Sequence, residues 1–487
     1  MAVTRFAPSP TGDLHIGGVR TALYAYALAK QSSGKFILRL EDTDRKREKS
    51  GSIEQIKEIL NYFDLNFDEA FKQSERLEIY KKYAVELVDK GAAFYCFAGN
   101  EEIAAARRLA QANGEIFKFR SPYRDLPIDK AKSRIAQGDK YVIRLKVPAN
   151  REMSFSDGLQ GKMTFNTNDI DDGVLIKSDG FPTYHLAVVV DDELMRITHV
   201  FRGVEWLPSV PKHLLLYEAL GFNMPEFYHL PLILDPEGGK LSKRKGAVAA
   251  KEFIKQGYLK EAILNFLMLL GWAPPLERVH GAKEQELFSL SEFVEMFSPK
   301  DLNKSSPVFN REKLVWFNQK YLQVLSIDKV QNIFIDWLNQ YGSSPELEKA
   351  VIAGGPDFLQ KILKQERTRA KLLSDLPALI SFFYIPGPRQ DLGKYQHTKT
   401  LSGRQVKNIF TKFLAVLKST EEDFSDFPHE KWEAAVRSLA EKMDLKAGSV
   451  FMALRIAVTG SEFSPPLYEV MNILGKKEVE KRLKRYL

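Results

Sequence analysis

Residues 5–18 read Arg-Phe-Ala-Pro-Ser-Pro-Thr-Gly-Asp-Leu-His-Ile-Gly-Gly, and the fold is decided around this stretch. A short β-like run over residues 3–7 leads into it. Pro8 and Pro10 end that run, because neither proline can donate a hydrogen bond to a strand ladder. Residues 19–30 follow as a predicted helix that is apolar on almost every side and therefore buried. The stretch is thus the turn of a strand–turn–helix unit.

The turn itself has the features of a phosphate-binding site. Gly12 and Asp13 predict a tight turn, with Asp13 near the N-cap of the helix. Free backbone N–H groups and the helix dipole favour negative charge there. Gly17 and Gly18 have no Cβ atom, so a nucleotide can lie close to the backbone, and His15 can donate a hydrogen bond to a phosphate. Short glycine motifs also match by chance, so the stretch alone leaves a purely structural role open.

Composition narrows the class of protein. The 487 residues suggest three or four domains at roughly 150 residues each. A net charge of +8 favours acidic partners, nucleic acid among them. No apolar run is long enough to span a bilayer, so we expect a cytoplasmic protein with no membrane association. Cys96 is the only cysteine, which excludes an internal disulfide and a cysteine-cluster zinc site, and we expect no zinc.

An α/β pattern continues after the first helix. Residues 36–41 predict a second buried strand, and helices are predicted over 52–63 and 75–90. Side chains at the carboxyl ends of parallel strands line a common crevice. Arg5 and Glu41 are therefore expected to face the same pocket.

From about residue 92 to 190 the pattern changes. Apolar and polar residues alternate over 141–147, as in a half-buried strand, and turn signals recur at 156–158 and 178–180. We interpret this region as an α+β insertion between two halves of an α/β domain. The α/β pattern then resumes with a strand at 198–202, a helix near 209–220 and a strand at 227–234.

A basic loop follows, with the sequence Asp-Pro-Glu-Gly-Gly-Lys-Leu-Ser-Lys-Arg-Lys-Gly over residues 235–246. The cations of Lys240, Lys243 and Arg244 are flanked by glycines and can clamp phosphates. A basic loop alone is usually only solvated surface, but this one accompanies a phosphate-binding turn in the same α/β domain. Beyond residue 250 the periodicity is helical to the end, with a Pro/Ser-rich break at 298–309.

The two motifs together, His15-Ile-Gly-Gly18 and Lys240-Leu-Ser-Lys-Arg244, resemble the paired signatures of class I aminoacyl-tRNA synthetases. The surrounding sequence resembles the bacterial glutamyl-tRNA synthetase family over nearly the whole chain. Gly18 stands where the general signature has a second histidine, as in the glutamyl branch. The segments that carry the resemblance are residues 5–12, 39–45, 182–187, 191–192, 201–206, 271–272, 309–322 and 454–460.

The resemblance implies the domain organisation. It implies a Rossmann-type α/β catalytic domain over residues 1–91 and 191–240, interrupted by a connective α+β insertion over 92–190 that binds the acceptor end of tRNA. An all-α stem-contact domain over 241–324 begins with the basic loop. A helical anticodon-binding domain spans 325–487. The protein is expected to act as a monomer.

The resemblance also implies the reaction. ATP, accompanied by Mg²⁺, and glutamate form glutamyl-adenylate and pyrophosphate, and the glutamyl group passes to the 3′-terminal adenosine of tRNA(Glu). Whether tRNA(Gln) is also glutamylated stays open.

The chemistry requires phosphate stabilisation and recognition of two carboxylates and one ammonium. His15 and Lys243 are the implied catalytic residues. The implied ATP-binding residues are His15, Gly17, Gly18, Trp206, Lys240, Lys243 and Arg244. The implied glutamate-binding residues are Arg5, Ser9, Glu41, Tyr184 and Arg202, with Arg5 favoured for the γ-carboxylate. Arg367 and Arg369, on a predicted helix, are candidates for tRNA contact.

Three alternatives remain at this stage. An enzyme that glutamylates a modified tRNA base shares the catalytic half but lacks the anticodon-binding region, whereas roughly 160 residues of helical pattern follow Leu322 here. Glutaminyl-tRNA synthetase has a β-barrel tail, which the helical periodicity disfavours. An inactive RNA-binding paralogue predicts loss of the charged motif residues, yet His15, Lys240, Lys243 and Arg244 are all present.

We predict that Lys243→Ala slows adenylate formation by about 10²–10³, the usual cost of losing one preorganised charge-stabilising donor. Transfer from preformed glutamyl-adenylate to tRNA should change less, because pyrophosphate has already left. Lys243→Arg should recover part of the activity, since a planar fork replaces a point charge poorly. Single-turnover measurement of each step checks this. Adenylate formation at the parent rate in Lys243→Ala would remove the basic loop from the mechanism.

Overall fold

A parallel sheet organises the first of two structural units in the computed structural model, which describes residues 1–241, 248–274, 286–419 and 427–487. Neighbouring strands of this sheet pair in parallel, in the spatial order β10-β9-β1-β2-β3. Helices connect the strands, as parallel pairing requires. The strands are β1 (Val3–Phe6), β2 (Lys35–Leu40), β3 (Glu69–Lys72), β9 (His199–Gly203) and β10 (Glu226–Leu230). The helices packed with them are α1 (Ile16–Gln31), α2 (Ser52–Tyr62), α3 (Leu77–Asp89), α6 (Tyr184–Leu194) and α7 (Val210–Leu220).

The start of α1 differs from the prediction. The helix begins at Ile16, three residues earlier than predicted, and its N-cap is His15. Asp13, predicted near the N-cap, instead accepts a hydrogen bond from the Gln55 side chain at 2.9 Å. The sequence signal was misleading because both glycines of the motif lie inside the first helical turn, where glycine is normally unfavourable.

Two strands also differ from their predicted extent. β3 was missed, because Glu-Ala-Phe-Lys has no clear alternation and lies at the edge of the described sheet, beside β2. β10 ends at Leu230 rather than at residue 234. Pro231 follows directly, and it has no N–H to continue the ladder. Leu234 nevertheless makes isolated bridges to Lys240 and Val308.

The predicted α+β insertion is confirmed between α3 and α6. Its antiparallel strands form one sheet with the order β4-β5-β8 and one hairpin, β6-β7. Its elements are β4 (Ala93–Cys96), α4 (Asn100–Ala112), α5 (Ile128–Ala136), β5 (Val142–Leu145), β6 (Glu152–Asp157), β7 (Gly161–Asn166) and β8 (Val174–Ile176).

The chain divides into a first unit of residues 1–253 and 263–311 and a second unit of residues 254–262 and 312–487. Helices account for the described regular structure after residue 250 apart from isolated bridges, as the periodicity predicted. They are α8 (Ala250–Lys255), α9 (Lys260–Met268), α10 (Leu290–Met296), α11 (Arg311–Val324), α12 (Ile327–Tyr341), α13 (Pro345–Gly354), α14 (Pro356–Glu366), α15 (Leu376–Tyr384), α16 (Gly403–Ser419), α17 (His429–Lys442), α18 (Ala447–Thr459) and α19 (Leu467–Lys484).

One buried carboxyl group makes the second unit sensitive to pH. Glu366, the last residue of α14, has no exposed surface. One carboxyl oxygen pairs with Arg369 at 2.7 Å, while the other has no hydrogen-bond partner among the described residues. Burial raises the pKa of Glu366 from 4.5 to about 7, although Arg369 opposes the rise.

We predict that Glu366→Gln stabilises the protein at pH 8 and has little effect at pH 5. The folded protein binds this proton more tightly than the unfolded chain, so stability is greatest below pH 4.5 and falls as the pH rises to about 7. The shift corresponds to a free energy on the order of 3 kcal/mol. Melting temperatures of parent and variant at both pH values check it. Asp336→Asn, on an exposed position of α12, is the control; an equal effect of Glu366→Gln at both pH values would contradict the prediction.

Candidate active site

A cavity of about 460 Å³ lies at the carboxyl end of the parallel sheet, beside the N-termini of α1 and α6. It brings together the predicted site residues of the first unit that the structure describes. Lys243 and Arg244 lie outside the described residues, and Arg367 and Arg369 lie in the second unit. The predicted residues that line the cavity are Arg5, Ser9, His15, Gly17, Gly18, Glu41, Tyr184, Arg202, Trp206 and Lys240.

The cap of α1 fixes the ring of His15. His15 Nδ1 accepts a hydrogen bond from the backbone N–H of Gly17 at 3.0 Å. A neutral ring in this position carries its proton on Nε2, which is the tautomer that can donate to a phosphate. A Cβ at Gly18 would lie 2.9 Å from Leu14 Cδ1, so a larger residue there would require the Leu14 side chain to shift. His15 therefore has a structural role as the cap of α1, in addition to any role in ligand binding.

Both ends of the basic loop are attached beside the cavity. Within the loop, the backbone N–H of Leu241 donates to the carbonyl of Ile233, and both residues line the cavity. After it, the N–H of Ile16 donates to the carbonyl of Val248 at 2.9 Å. Residues 242–247, which join these two attachment points, lie outside the described part of the chain.

A chain of alternating buried charges connects β1, β2 and α6. Asp192 accepts from Arg39 at 2.5 Å and from Arg5 at 3.2 Å. Arg39 also pairs with Glu41 at 3.3 Å. Burial alone would raise the pKa of Asp192, but the two guanidinium groups hold it below its ordinary value. Burial raises the pKa of Glu41 above its ordinary value, despite the opposing charges of Arg39 and Arg5.

Arg202 is bound differently from Arg5. Its side chain donates to three neutral acceptors: His229 Nε2 at 2.9 Å, the Tyr184 hydroxyl at 3.0 Å and His213 Nδ1 at 3.4 Å. Burial lowers the pKa values of both histidines, so both rings stay neutral. Within the described residues, Nη2 of Arg202 has no hydrogen-bond partner and no carboxylate pairs with its guanidinium. Arg202 is thus a buried cation that can accept a carboxylate ligand.

Two aromatic rings form one wall of the cavity. Tyr184 begins α6, and its ring centroid lies 4.3 Å from that of Trp206. Trp206 remains 38% exposed, so its face is accessible to a ligand. Burial raises the pKa of Tyr184, which keeps its hydroxyl protonated while it accepts from Arg202.

Sequence reasoning missed several residues around the cavity. Arg20 lines it and is fixed by hydrogen bonds to the carbonyls of Pro231 and Leu270. Glu205 also lines it, 3.9 Å from the ammonium group of Lys240. Asp192 lies in residues 191–192, one of the segments that carry the family resemblance. That resemblance could have identified it as a site residue. His213 and His229 stand alone in the sequence, and no pattern marked them.

The predicted tRNA-contact arginines of the second unit have protein partners. Arg367 donates to the carbonyl of Leu325 at 2.8 Å. Arg369 pairs with Glu366 through Nη1, and its side chain remains 32% exposed. Arg369 is therefore the more accessible of the two for a ligand.

Neither a metal-binding cluster nor a membrane-spanning helix is found among the described residues. They contain no group of three His, Cys, Asp or Glu side chains that could hold a metal ion. Cys96 is buried, with its sulfur 3.2 Å from the Ser121 hydroxyl. No helix in the described ranges is long and apolar enough to cross a membrane.

Two family models together match most of the chain. The model for tRNA synthetases class I (E and Q), catalytic domain, matches residues 1–316. The model for an anticodon binding domain matches residues 333–487.

Curated relatives and a solved structure are similar to this chain over nearly its full length. Glutamate–tRNA ligase of Finegoldia magna is 39% identical, covering 99% of this chain and 98% of the relative. The enzyme of Alkaliphilus metalliredigens is 37% identical, covering 98% and 97%. The crystal structure of a glutamate tRNA ligase from Elizabethkingia meningosepticum, in complex with its amino acid, has a TM-score of 0.86 and 34% identity, covering 100% of this chain and 99% of that one.

The parallel sheet with its α+β insertion, the charged cavity at its carboxyl edge and the helical second unit are thus those of a known group of enzymes. Because the similarity extends over both catalytic and anticodon-binding regions, the chain belongs to the family of glutamate–tRNA ligases, class I aminoacyl-tRNA synthetases that use ATP to attach glutamate to tRNA.

Proposed function

We propose that the cavity binds glutamate at the charges around Tyr184 and ATP at the His15 end. The observation that carries the proposal is the pairing of the buried arginines. Among the described residues, Asp192 pairs directly with Arg5 and Arg39, and Glu41 pairs with Arg39. No carboxylate in that part of the chain pairs directly with Arg202. Buried charge is costly unless it is compensated, and glutamate brings two carboxylates to these arginines, whereas glutamine brings one.

Each polar group of glutamate has a proposed partner. Arg5 and Arg202 take the two carboxylates, with Arg5 on the γ-carboxylate, and Glu41 takes the ammonium. The entering ammonium also offsets the burial that raises the pKa of Glu41. Ser9 and the Tyr184 hydroxyl complete the hydrogen bonding. Trp206 forms the apolar wall shared with ATP.

The activation step is proposed to depend on positioning and charge stabilisation. His15 Nε2 and the backbone at Gly17 and Gly18 hold the nucleotide, while Lys243, with Lys240 and Arg244, stabilises the departing pyrophosphate. The substrate carboxylate attacks the α-phosphorus, the bond to pyrophosphate breaks, and glutamyl-adenylate forms with no covalent bond to the protein. Mg²⁺ enters with the ATP phosphates, and no zinc takes part.

The finer assignments of the RNA partner are also proposals. We propose that the insertion over 92–190 binds the acceptor end, the region 241–324 the stem and the region 325–487 the anticodon of tRNA(Glu). The chain acts as a cytoplasmic monomer in protein synthesis. Aminoacylation assays with purified tRNA(Gln) decide whether that tRNA is a second substrate.

We predict that Arg5→Ala raises the KM for glutamate at least tenfold in ATP–pyrophosphate exchange with tRNA present. The loss of one charge-assisted contact costs about 1.5–3 kcal/mol. Glutamine has no γ-carboxylate, so its weak activation should change less. The KM for ATP in the same variant is the internal control. Equal losses for glutamate and glutamine would place Arg5 on the α-carboxylate or in a structural role.

We predict that Arg369→Gln weakens tRNA binding and lowers the slope of log K against log salt by about 1, as expected for one lost phosphate contact. Arg369 is partly exposed and uses Nη1 in its pair with Glu366. Arg437→Gln is the matched control, because Arg437 is also exposed and pairs with a glutamate on its own helix. A slope identical to that of the parent protein would exclude Arg369 as a phosphate contact.

A further inference from the structure

Two buried polar residues behind Arg202 connect it to the insertion. The Arg202 guanidinium donates through Nε to His229 Nε2, and His229 Nδ1 lies 2.5 Å from a carboxyl oxygen of Asp157. Both residues are buried, with His229 showing no exposed surface and Asp157 only 4%. Asp157 ends β6 of the insertion, whereas His229 belongs to β10 of the parallel sheet.

We propose that Asp157 and His229 are positioning residues for glutamate binding: Asp157 holds His229 in the tautomer whose Nε2 accepts from Arg202, which orients the guanidinium for a carboxylate ligand. The inference rests on the proposed role of Arg202 as a carboxylate contact. Neither residue touches the substrate.

Hydrogen-bond chemistry determines the tautomer. A guanidinium has donors only, so the His229 nitrogen that faces it must be the one without a proton. The neutral ring therefore carries its proton on Nδ1, where the Asp157 carboxylate accepts it. Burial lowers the pKa of His229, although the Asp157 hydrogen bond opposes this, and the ring stays neutral. His213 supports Arg202 in the same way, with Nδ1 toward the guanidinium and Nε2 3.2 Å from His185 Nδ1.

Asp157 is itself held rigidly. Its Oδ1 accepts the backbone N–H groups of Leu159 and Gln160 at 2.9 and 2.8 Å, which closes the turn of the β6–β7 hairpin. The Gln160 side chain donates to the His229 carbonyl at 2.8 Å. Gly158 packs so closely against β10 that a Cβ would lie 2.4 Å from the Tyr228 ring. The hairpin thus presents one carboxyl oxygen to His229 in a fixed direction.

The test is Asp157→Asn, which preserves shape. The backbone N–H groups of Leu159 and Gln160, and that of His229 at 3.3 Å, keep the amide oxygen at the Oδ1 position, so the amide NH₂ faces His229 Nδ1. His229 must then carry its proton on Nε2, where it opposes the donor of Arg202. We expect the KM for glutamate to rise about tenfold or more, as for one lost charge-assisted hydrogen bond, with the KM for ATP changed less than about twofold because the His15 end is untouched. ATP–pyrophosphate exchange with tRNA measures both.

The matched control is Asp172→Asn. Asp172 is also a fully buried aspartate of the insertion, but it pairs with Arg120 and Arg124. Its substitution should lower the melting temperature without a selective rise in the KM for glutamate. If Asp157→Asn and Asp172→Asn both raise the KM for glutamate and the KM for ATP equally, the cause is a general loss of structure. That result would overturn the inference.

Arg202→Lys separates failure of the inference from failure of the site assignment. If Asp157 acts through Arg202, adding Asp157→Asn to Arg202→Lys should raise the KM for glutamate no further. If Arg202→Lys raises this KM but Asp157→Asn does not, the inference fails and the role of Arg202 stands. If Arg202→Lys leaves it unchanged, both fail.

A second pair of variants applies if Asp157→Asn does not fold. His229→Gln retains an acceptor for Arg202, and His229→Leu removes it. We expect a KM for glutamate near the parent value in the first and at least about tenfold higher in the second. Equal values in the two variants would overturn the inference.

Discussion

The buried carboxylate of Asp192 is the interaction on which the candidate site depends. It is 2% exposed and bridges Arg5 of β1 and Arg39 of β2 from its position on α6. A buried ion pair contributes little net stability, but removing one partner leaves an uncompensated charge that costs several kcal/mol. The pairing therefore fixes the geometry of the strand ends more than it stabilises the fold. Through Arg39 it also sets the position of Glu41.

The two arginines proposed to bind carboxylates, Arg5 and Arg202, have different hydrogen-bond partners. Arg5 is held by a carboxylate and by the carbonyl of Phe201, so part of its charge is already compensated. Arg202 donates directly to neutral acceptors, and the Asp157 carboxylate reaches it only through His229. A buried cation whose direct partners are neutral is expensive to keep without a ligand. In the proposed complex a glutamate carboxylate relieves that cost, which would link substrate recognition to the electrostatics of the fold.

Much of the fold and of the candidate site could be predicted from the sequence. The features that could not be predicted were missed for physical reasons. Residues of local motifs, such as His15 and Gly17, and residues at strand ends, such as Arg5 and Glu41, could be placed because strand–turn–helix signals and the geometry of parallel sheets are local or general. The start of α1 was predicted three residues late, and one contact at its true start, the backbone bond from Ile16 to residue 248, comes from far along the chain. The histidines behind Arg202 could not be found, since His229 meets Asp157 at a sequence separation of 72 residues. Long-range polar pairing of this kind leaves no periodic signal.

The central claim is that Arg5 and Arg202 bind the two carboxylates of glutamate while Glu41 binds its ammonium. A crystal structure of the protein with a non-hydrolysable glutamyl-adenylate analogue tests it most directly. The analogue's γ-carboxylate should lie within about 2.7–3.2 Å of the Arg5 guanidinium, its carbonyl end near the Arg202 guanidinium, and its ammonium against Glu41. A bound analogue whose charged groups contact none of these three side chains would contradict the claim.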